Sequence, residues 1–213
     1  MNIKIVSILV CLFFGGLALA QTDSVLISLD NNTPDAVFLT YNDFRYNKGI
    51  LKEQINSSIN KDQLDFLGKT LDAETFSYAD NKINKSANTK SIWGFFQNKT
   101  LYVNYKGSFY RVPVFGSICY LVATVEVTSV GFYDPMYNPG SVAGGRRQEV
   151  REFLINFYDG IVTEFKMNEA ELLISRDKLL YDEFKKLSRR KQKEQIFRYI
   201  RKYNEAHPIY YLK

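Results

Sequence analysis

The chain has 213 residues, 46% of them hydrophobic and 24% charged, with a net charge of +5. That balance excludes a disordered chain, a collagen and a coiled-coil rod. It supplies enough apolar material for one ordinary domain with a small appendage.

Residues 1–20, MNIKIVSILVCLFFGGLALA, read as an export signal. Lys4 gives a positive start, 5–17 form an apolar run, and Ala18-Leu19-Ala20 fits a small-x-small cleavage site with Gln21 as the first mature residue. The run is short for a membrane span, and Cys11 follows Val10 inside it rather than in a lipoprotein context. Cleavage leaves Cys119 as the sole cysteine, so no internal disulfide forms in an oxidising compartment. Cys119 lies in a strand-like run and reads as a small buried hydrophobe. Losing Lys4 lowers the net charge to +4, unevenly spread: 176–213 carries +7 and 21–175 carries −3. Such asymmetry marks either an anionic partner or a solvated helical end.

Residues 21–33 are polar and aperiodic and read as a flexible arm; 34–39 are extended. Thr40, with Asp43 three residues on, opens a short helical turn through Phe44, Arg45 and Tyr46, which Gly49 ends. Residues 63–71 and 75–83 each suit a strand, and 84–90 (NKSANTK) reads as a loop. Strands are predicted at 92–96, 100–105, 108–115 and 118–130, divided by turns at Gln97-Asn98-Lys99, Lys106-Gly107 and Gly116. Pro113 makes 108–115 an edge or bulged strand. Residues 131–149, with Pro135, Pro139, Gly140, Gly144 and Gly145, read as a long loop. A strand at 150–158, a turn at Asp159-Gly160 and a return at 161–166 follow.

The chain closes in helices. Asn168 is the predicted N-cap, with Glu169 and Glu171 in the first turn. Residues 177–187 put Leu179, Leu180, Phe184 and Leu187 on one face; 189–205 put Ile196, Phe197, Ile200 and Tyr203 on another. The spacings Glu194 to Arg198 and Arg201 to Glu205 suit i,i+4 ion pairs that would neutralise the outer side.

The leader, FLTYNDF at 38–44, WGF at 93–95, LYVN at 101–104 and the closing YIRKYNEAHP at 199–208 together resemble an uncharacterised family of exported proteins from the Bacteroidota. The resemblance covers most of 34–208 and is carried by structural rather than catalytic motifs. It implies a threonine-capped turn, a meander, a strand–turn–strand and terminal helices, with bacterial origin and export. The family has no known activity, so it assigns no residue a role.

Motifs for chemistry are sparse. The single histidine, His207, beside Pro208, suits a helix terminus better than a triad or zinc site. There is no CxxC, HExxH or GxSxG, and Gly144-Gly145-Arg146-Arg147 lacks the spacing of a phosphate loop. No cofactor or metal is therefore implied. Asp134, Glu126 and Asp159 are available for a carboxylate pair, although Asp159-Gly160 is explained as turn chemistry. Tyr102, Tyr105, Phe109 and Tyr110 cluster near two turns, where aromatics either bind sugars or peptides or pack across strands. Arg146 and Arg147 offer donors to an anion at the lip of the 131–149 loop.

The sequence therefore predicts an α+β fold: an antiparallel meander of about six to eight strands finished by C-terminal helices. Its parts are a signal peptide (1–20), an arm (21–33), a β-rich domain (34–166) and a helical segment packed on it (167–213). The expected function is a non-enzymatic module, secreted or periplasmic, that binds a protein or envelope component, with no nucleic-acid partner and no membrane span after cleavage. The alternative is a carboxylate-dependent hydrolase of an envelope polymer, and a third reading, peripheral attachment to an anionic surface, rests on the charge of the tail. Candidate ligand-binding residues are Arg146, Arg147, Tyr102 and Phe109.

Overall fold

A computed structural model describes residues 25–27, 29, 33–128 and 145–213. The elements are β1 (Ala36–Phe38), α1 (Tyr41–Arg45), β2 (Ile50–Leu51), β3 (Ile55–Asn56), α2 (Phe66–Leu71), β4 (Thr75–Asp80), β5 (Ile83–Asn88), β6 (Gly94–Gln97), β7 (Thr100–Tyr105), β8 (Ser108–Arg111), β9 (Ile118–Thr128), β10 (Arg146–Asn156), β11 (Val162–Glu164), α3 (Met167–Ile174), α4 (Lys178–Lys185) and α5 (Arg189–Ala206). The fold is α+β, with antiparallel sheets in meander-like order and C-terminal helices. The central sheet has strand order β2-β1-β6-β7-β8, and two three-stranded sheets, β3-β4-β5 and β11-β10-β9, flank it.

Adjacent apolar residues set the layering. Side chains on a strand alternate between faces. The neighbours Val37 and Phe38, and again Phe95 and Phe96, therefore point to opposite sides, yet all four are buried. Val37 and Phe95 join a core with Ile55, Phe66, Leu67 and Phe76 from the β3–β5 sheet and α2. Phe38 and Phe96 join another with Leu121, Ala123, Phe153 and Ile155 from β9 and β10. A third core lies behind β9 and β10, where Ile118 and Leu154 meet Ile174, Phe184, Ile196 and Ile200 of the helices. The order is thus α2 and outer sheet, central sheet, β9–β11 sheet, helices. Each fully buried Phe or Leu contributes about 1.5–3 kcal/mol.

The meander turns through three two-residue hairpins. Asn81-Lys82, Asn98-Lys99 and Lys106-Gly107 all have positive φ at both central residues, as type I′ turns require. β8 is the outer strand of its sheet and ends at Arg111, so Pro113 falls after it. The predicted capping box is present: Thr40 Oγ1 accepts from Asp43 N (3.0 Å), and Asp43 Oδ2 accepts from Thr40 N (2.9 Å). The helix ends through Asn47, at φ 52°, rather than Gly49.

Two polar devices fix the layers. Arg45, 9% exposed, donates from Nη1 to the Phe157 and Tyr158 carbonyls (3.0 and 3.2 Å) and lies over the Phe157 ring. It thereby ties α1 to the end of β10. Asn204 of α5 brackets Ile118, its Oδ1 accepting from the backbone N (2.8 Å) and its Nδ2 donating to the backbone O (2.9 Å). A Cβ at Gly116 would overlap the Asn204 side chain, so glycine is required there. Cys119 is buried, and that burial pushes its thiol up to about 12.

Several local expectations are corrected. Residues 63–71 contain α2 rather than a strand: the buried set Phe66, Leu67, Thr70 and Leu71 has helical spacing. Residues 84–90 are not a loop, since most of them form β5, a polar edge strand exposed along nearly its whole length. Arg146 to Glu149 belong to β10, while the rest of the predicted 131–149 loop, except Gly145, lies outside the described residues. α3 starts after Lys166, one residue before Asn168, which bonds Glu169 instead of capping. Leu179 is exposed rather than on the buried face of α4. The arm is tied down in part, because Ile27 N donates to Ile209 O and Tyr211 N to Val25 O, and Ile27 is buried. No described helix is long and apolar enough to cross a membrane.

The docked face of α5 is testable. Ile200 is fully buried, so Ile200→Asp is expected to destabilise the fold by roughly 3–5 kcal/mol. Arg198→Gln, on the exposed side, should change stability by no more than about 0.5 kcal/mol. Urea melts of both variants read the difference, and equal midpoints would show that the helix is not docked.

Candidate functional site

A cleft of about 700 Å³ opens on the β3–β5 side of the central sheet. Its floor is Phe95, Tyr102 and Phe109, one from each strand of the β6–β7–β8 meander. Phe95 and Tyr102 are cross-strand partners with stacked rings (4.7 Å, 8°), and Phe109 meets Phe95 edge-on at 5.1 Å. Such pairs add about 0.5–1.5 kcal/mol beyond their buried area. Phe95 is buried, whereas Tyr102 and Phe109 are only half-buried. Among the described residues the Tyr102 hydroxyl makes no hydrogen bond, so the floor keeps an open polar atom.

The walls are backbone segments held by three side chains. Gln97 Oε1 accepts from Gly68 N (2.9 Å) and its Nε2 donates to Leu64 O, which pins α2 to β6. Thr89, 4% exposed, donates from Oγ1 to Ala73 O (2.6 Å), and its N–H bonds Glu74 O (3.0 Å), which pins the 72–74 loop. Asn104 donates from Nδ2 to Lys90 O (3.0 Å) and accepts from Gly107 N (2.9 Å), which pins the β7–β8 turn. Gly107 has φ +86°, where an L residue is strained.

Asp72, Glu74, Lys90 and Ser108 supply the polar rim, and all are exposed. None of these charged groups forms an ion pair among the described residues. Both carboxylates come from one short loop, two residues apart. Among the described residues no third acidic group, cysteine or histidine lines the cleft, and no three such side chains are grouped to hold a metal. The site can therefore enclose a ligand with an apolar surface and hydrogen-bonding edges.

Comparison with protein-family models, curated proteins and solved structures finds no match.

The residues singled out in the sequence separate. Tyr102 and Phe109 are brought together in the cleft. Tyr105 and Tyr110 line a different hollow of about 500 Å³, with Thr124, Glu126 and Gln148, beside β9 and β10. There Tyr110 donates to Thr124 O (2.7 Å). Arg146 and Arg147, being neighbours on β10, point to opposite faces and do not converge. Arg146 pairs with Glu126 (3.2 Å) and Arg147 with Glu149 (2.5 Å). Hydrogen bonds from Arg151 and Arg147 outweigh partial burial and hold the Glu149 carboxyl below the usual range. Asp159 serves its turn, accepting from Asn156 Nδ2 and from Ile161 N (2.9 Å). Asp134 lies outside the described residues. His207 caps the end of α5 and bonds Asp177 through Nε2 (3.0 Å).

Sequence reasoning missed Thr89, Asn104, Gln97 and the 72–74 loop. Placing α2 and β5 correctly brings the 72–74 loop and Thr89 to the cleft, where they meet Gln97 of β6 and Asn104 of β7. Thr89→Val tests the framework, because it removes the hydroxyl at constant shape and leaves the Ala73 carbonyl without that donor. A loss of about 1–3 kcal/mol in urea unfolding is expected, with faster exchange of the residue-89 amide that donates to Glu74 O. An unchanged midpoint and unchanged exchange would mean that Thr89 does not hold the wall.

Proposed function

We propose that the protein is an exported, non-enzymatic binding module that holds an envelope component in the cleft over Tyr102 and Phe109. The observation that carries this reading is a concave, half-apolar site whose walls are fixed by Gln97, Thr89 and Asn104 and whose rim groups are unpaired. Preformed clefts with an apolar lining and a few placed polar groups are the usual form of small-ligand sites. Fixed walls also lower the ordering cost of binding. Export is supported by the leader at 1–20 and by the resemblance to exported Bacteroidota proteins.

The hydrolase reading fits less well. Glycoside hydrolysis places two carboxyl groups on opposite sides of the scissile bond, whereas Asp72 and Glu74 sit on one loop at one wall. A peptide or glycan strand laid across the aromatic floor would meet these carboxylates and Lys90 as hydrogen-bonding partners instead.

Co-sedimentation with insoluble cell-wall polymer from the native host tests the proposal. The wild-type protein should pellet with the polymer and release no soluble fragments. The double variant Tyr102→Ala, Phe109→Ala, checked for folding by circular dichroism, should lose roughly tenfold or more in affinity, in line with the cost of removing central aromatic contacts. Release of reducing ends that stops with Asp72→Asn or Glu74→Gln would establish the hydrolase. Equal pelleting of the folded double variant would remove the cleft from the function.

A further inference from the structure

The outer side of α5 carries a second, independent feature. The helix has seven Lys/Arg and two Glu, a net charge of +5 over 18 residues. Its apolar stripe, Ile196, Tyr199, Ile200 and Tyr203, is buried in the third core. The charges therefore stand on a rigid rod about 27 Å long, at 1.5 Å per residue.

The ion pairs that the spacing suggested do not form. Glu194 bonds Arg190, its neighbour four residues back (2.9 Å), and not Arg198. Arg201 and Glu205 make no pair. Glu171 holds Lys185 and Arg189, and Glu183 holds Lys202, so these carboxylates neutralise the flanks next to α3 and α4. Among the described residues Lys186, Lys191, Lys193, Arg198 and Arg201 are left with no carboxylate within ion-pair distance, and all five are exposed. On the helical wheel Lys191, Arg198 and Arg201 fall on the side opposite Ile196 and Tyr203. The same side also carries Arg190 with its partner Glu194, and Glu205, so its four cations and two carboxylates leave a net charge of +2.

We propose that this face of α5 docks the protein on an anionic phospholipid surface. Clustered Lys and Arg side chains on a helix are attracted to anionic headgroups within a Debye length. The buried apolar stripe leaves nothing to insert, so the contact is electrostatic adsorption rather than interfacial burial. A single-stranded nucleic acid would call for aromatic side chains among the cations. The one aromatic near this side, Phe197, is turned inward against Phe165 and Tyr120 (5.3 and 4.9 Å).

The test uses protein purified from its own host and vesicles of phosphatidylcholine, with and without phosphatidylglycerol, in a flotation assay. Binding should require phosphatidylglycerol and disappear in high salt. The triple variant Lys191→Gln, Arg198→Gln, Arg201→Gln should bind the anionic vesicles weaker by roughly fivefold for each cation removed, with an unchanged melting midpoint. The reading is overturned by equal binding to neutral and anionic vesicles, by unchanged affinity of the triple variant, or by binding to duplex DNA without binding to vesicles. None of these outcomes depends on the aromatic cleft, so this proposal and the cleft's role fail or stand separately.

Discussion

Burial of the central sheet on both faces is the constraint on which the rest of the structure depends. A sheet with one wet face needs apolar residues at every second position. Here β1 and β6 are buried at every position, Ala36, Val37 and Phe38 in one and Gly94 to Gln97 in the other. A strand pair of that kind needs a layer on each side. The β3–β5 sheet with α2 supplies one, and β9 and β10 supply the other. β9 and β10 in turn present Ile118 and Leu154 on their far side, which requires the helices. The helices end where the strands turn polar: along the same face β9 runs from Ile118 and Tyr120 to Thr124, Glu126 and Thr128.

The cleft follows from the same layering. The β3–β5 sheet covers the central sheet near β1 and β6, through Ile55, Phe76 and Tyr78, and leaves Tyr102 and Phe109 of β7 and β8 only half covered. What would be core on a wider layer becomes the floor of a hollow. Gln97, Thr89 and Asn104 then hold its margins with hydrogen bonds to backbone groups that would otherwise lose partners. The basic face of α5 is the outermost consequence, the solvent side of the last layer.

Much of this was legible in the sequence, for a physical reason. The alternation at 100–105, the Thr40–Asp43 capping box and the helical periods after 177 are local signals that the tertiary structure did not override. Failures came where the local signal was weak or ambiguous. β5 is mostly polar, with only Ile83 and Ala87 apolar, so no alternating apolar period marks it, and it exists because β4 pairs with it through the Asn81-Lys82 turn. The same Asn-Lys pair recurs at the 98–99 turn, and that recurrence is the available clue. α2 is only six residues long, with a glycine inside, too short for its helical period to stand out from a strand at 63–71. The cleft inherited both errors. The aromatics near the turns mark its floor and the β7–β8 wall, while the other walls come from α2 with the 72–74 loop and from residues 89–90 beyond β5. The neutralising pairs expected on α5 show another limit: spacing permits Glu194 to meet Arg198, yet Arg190 is equally spaced and takes it.

Native-state amide exchange tests the two-sided burial most directly. Segments that open only by global unfolding exchange slowest. The amides of β1, β6 and β7 should fall in that class, with β5 and the exposed end of β9 and β10 opening at much lower cost. Exchange of β1 and β6 at rates matching β5 would contradict the claim that the central sheet organises the fold.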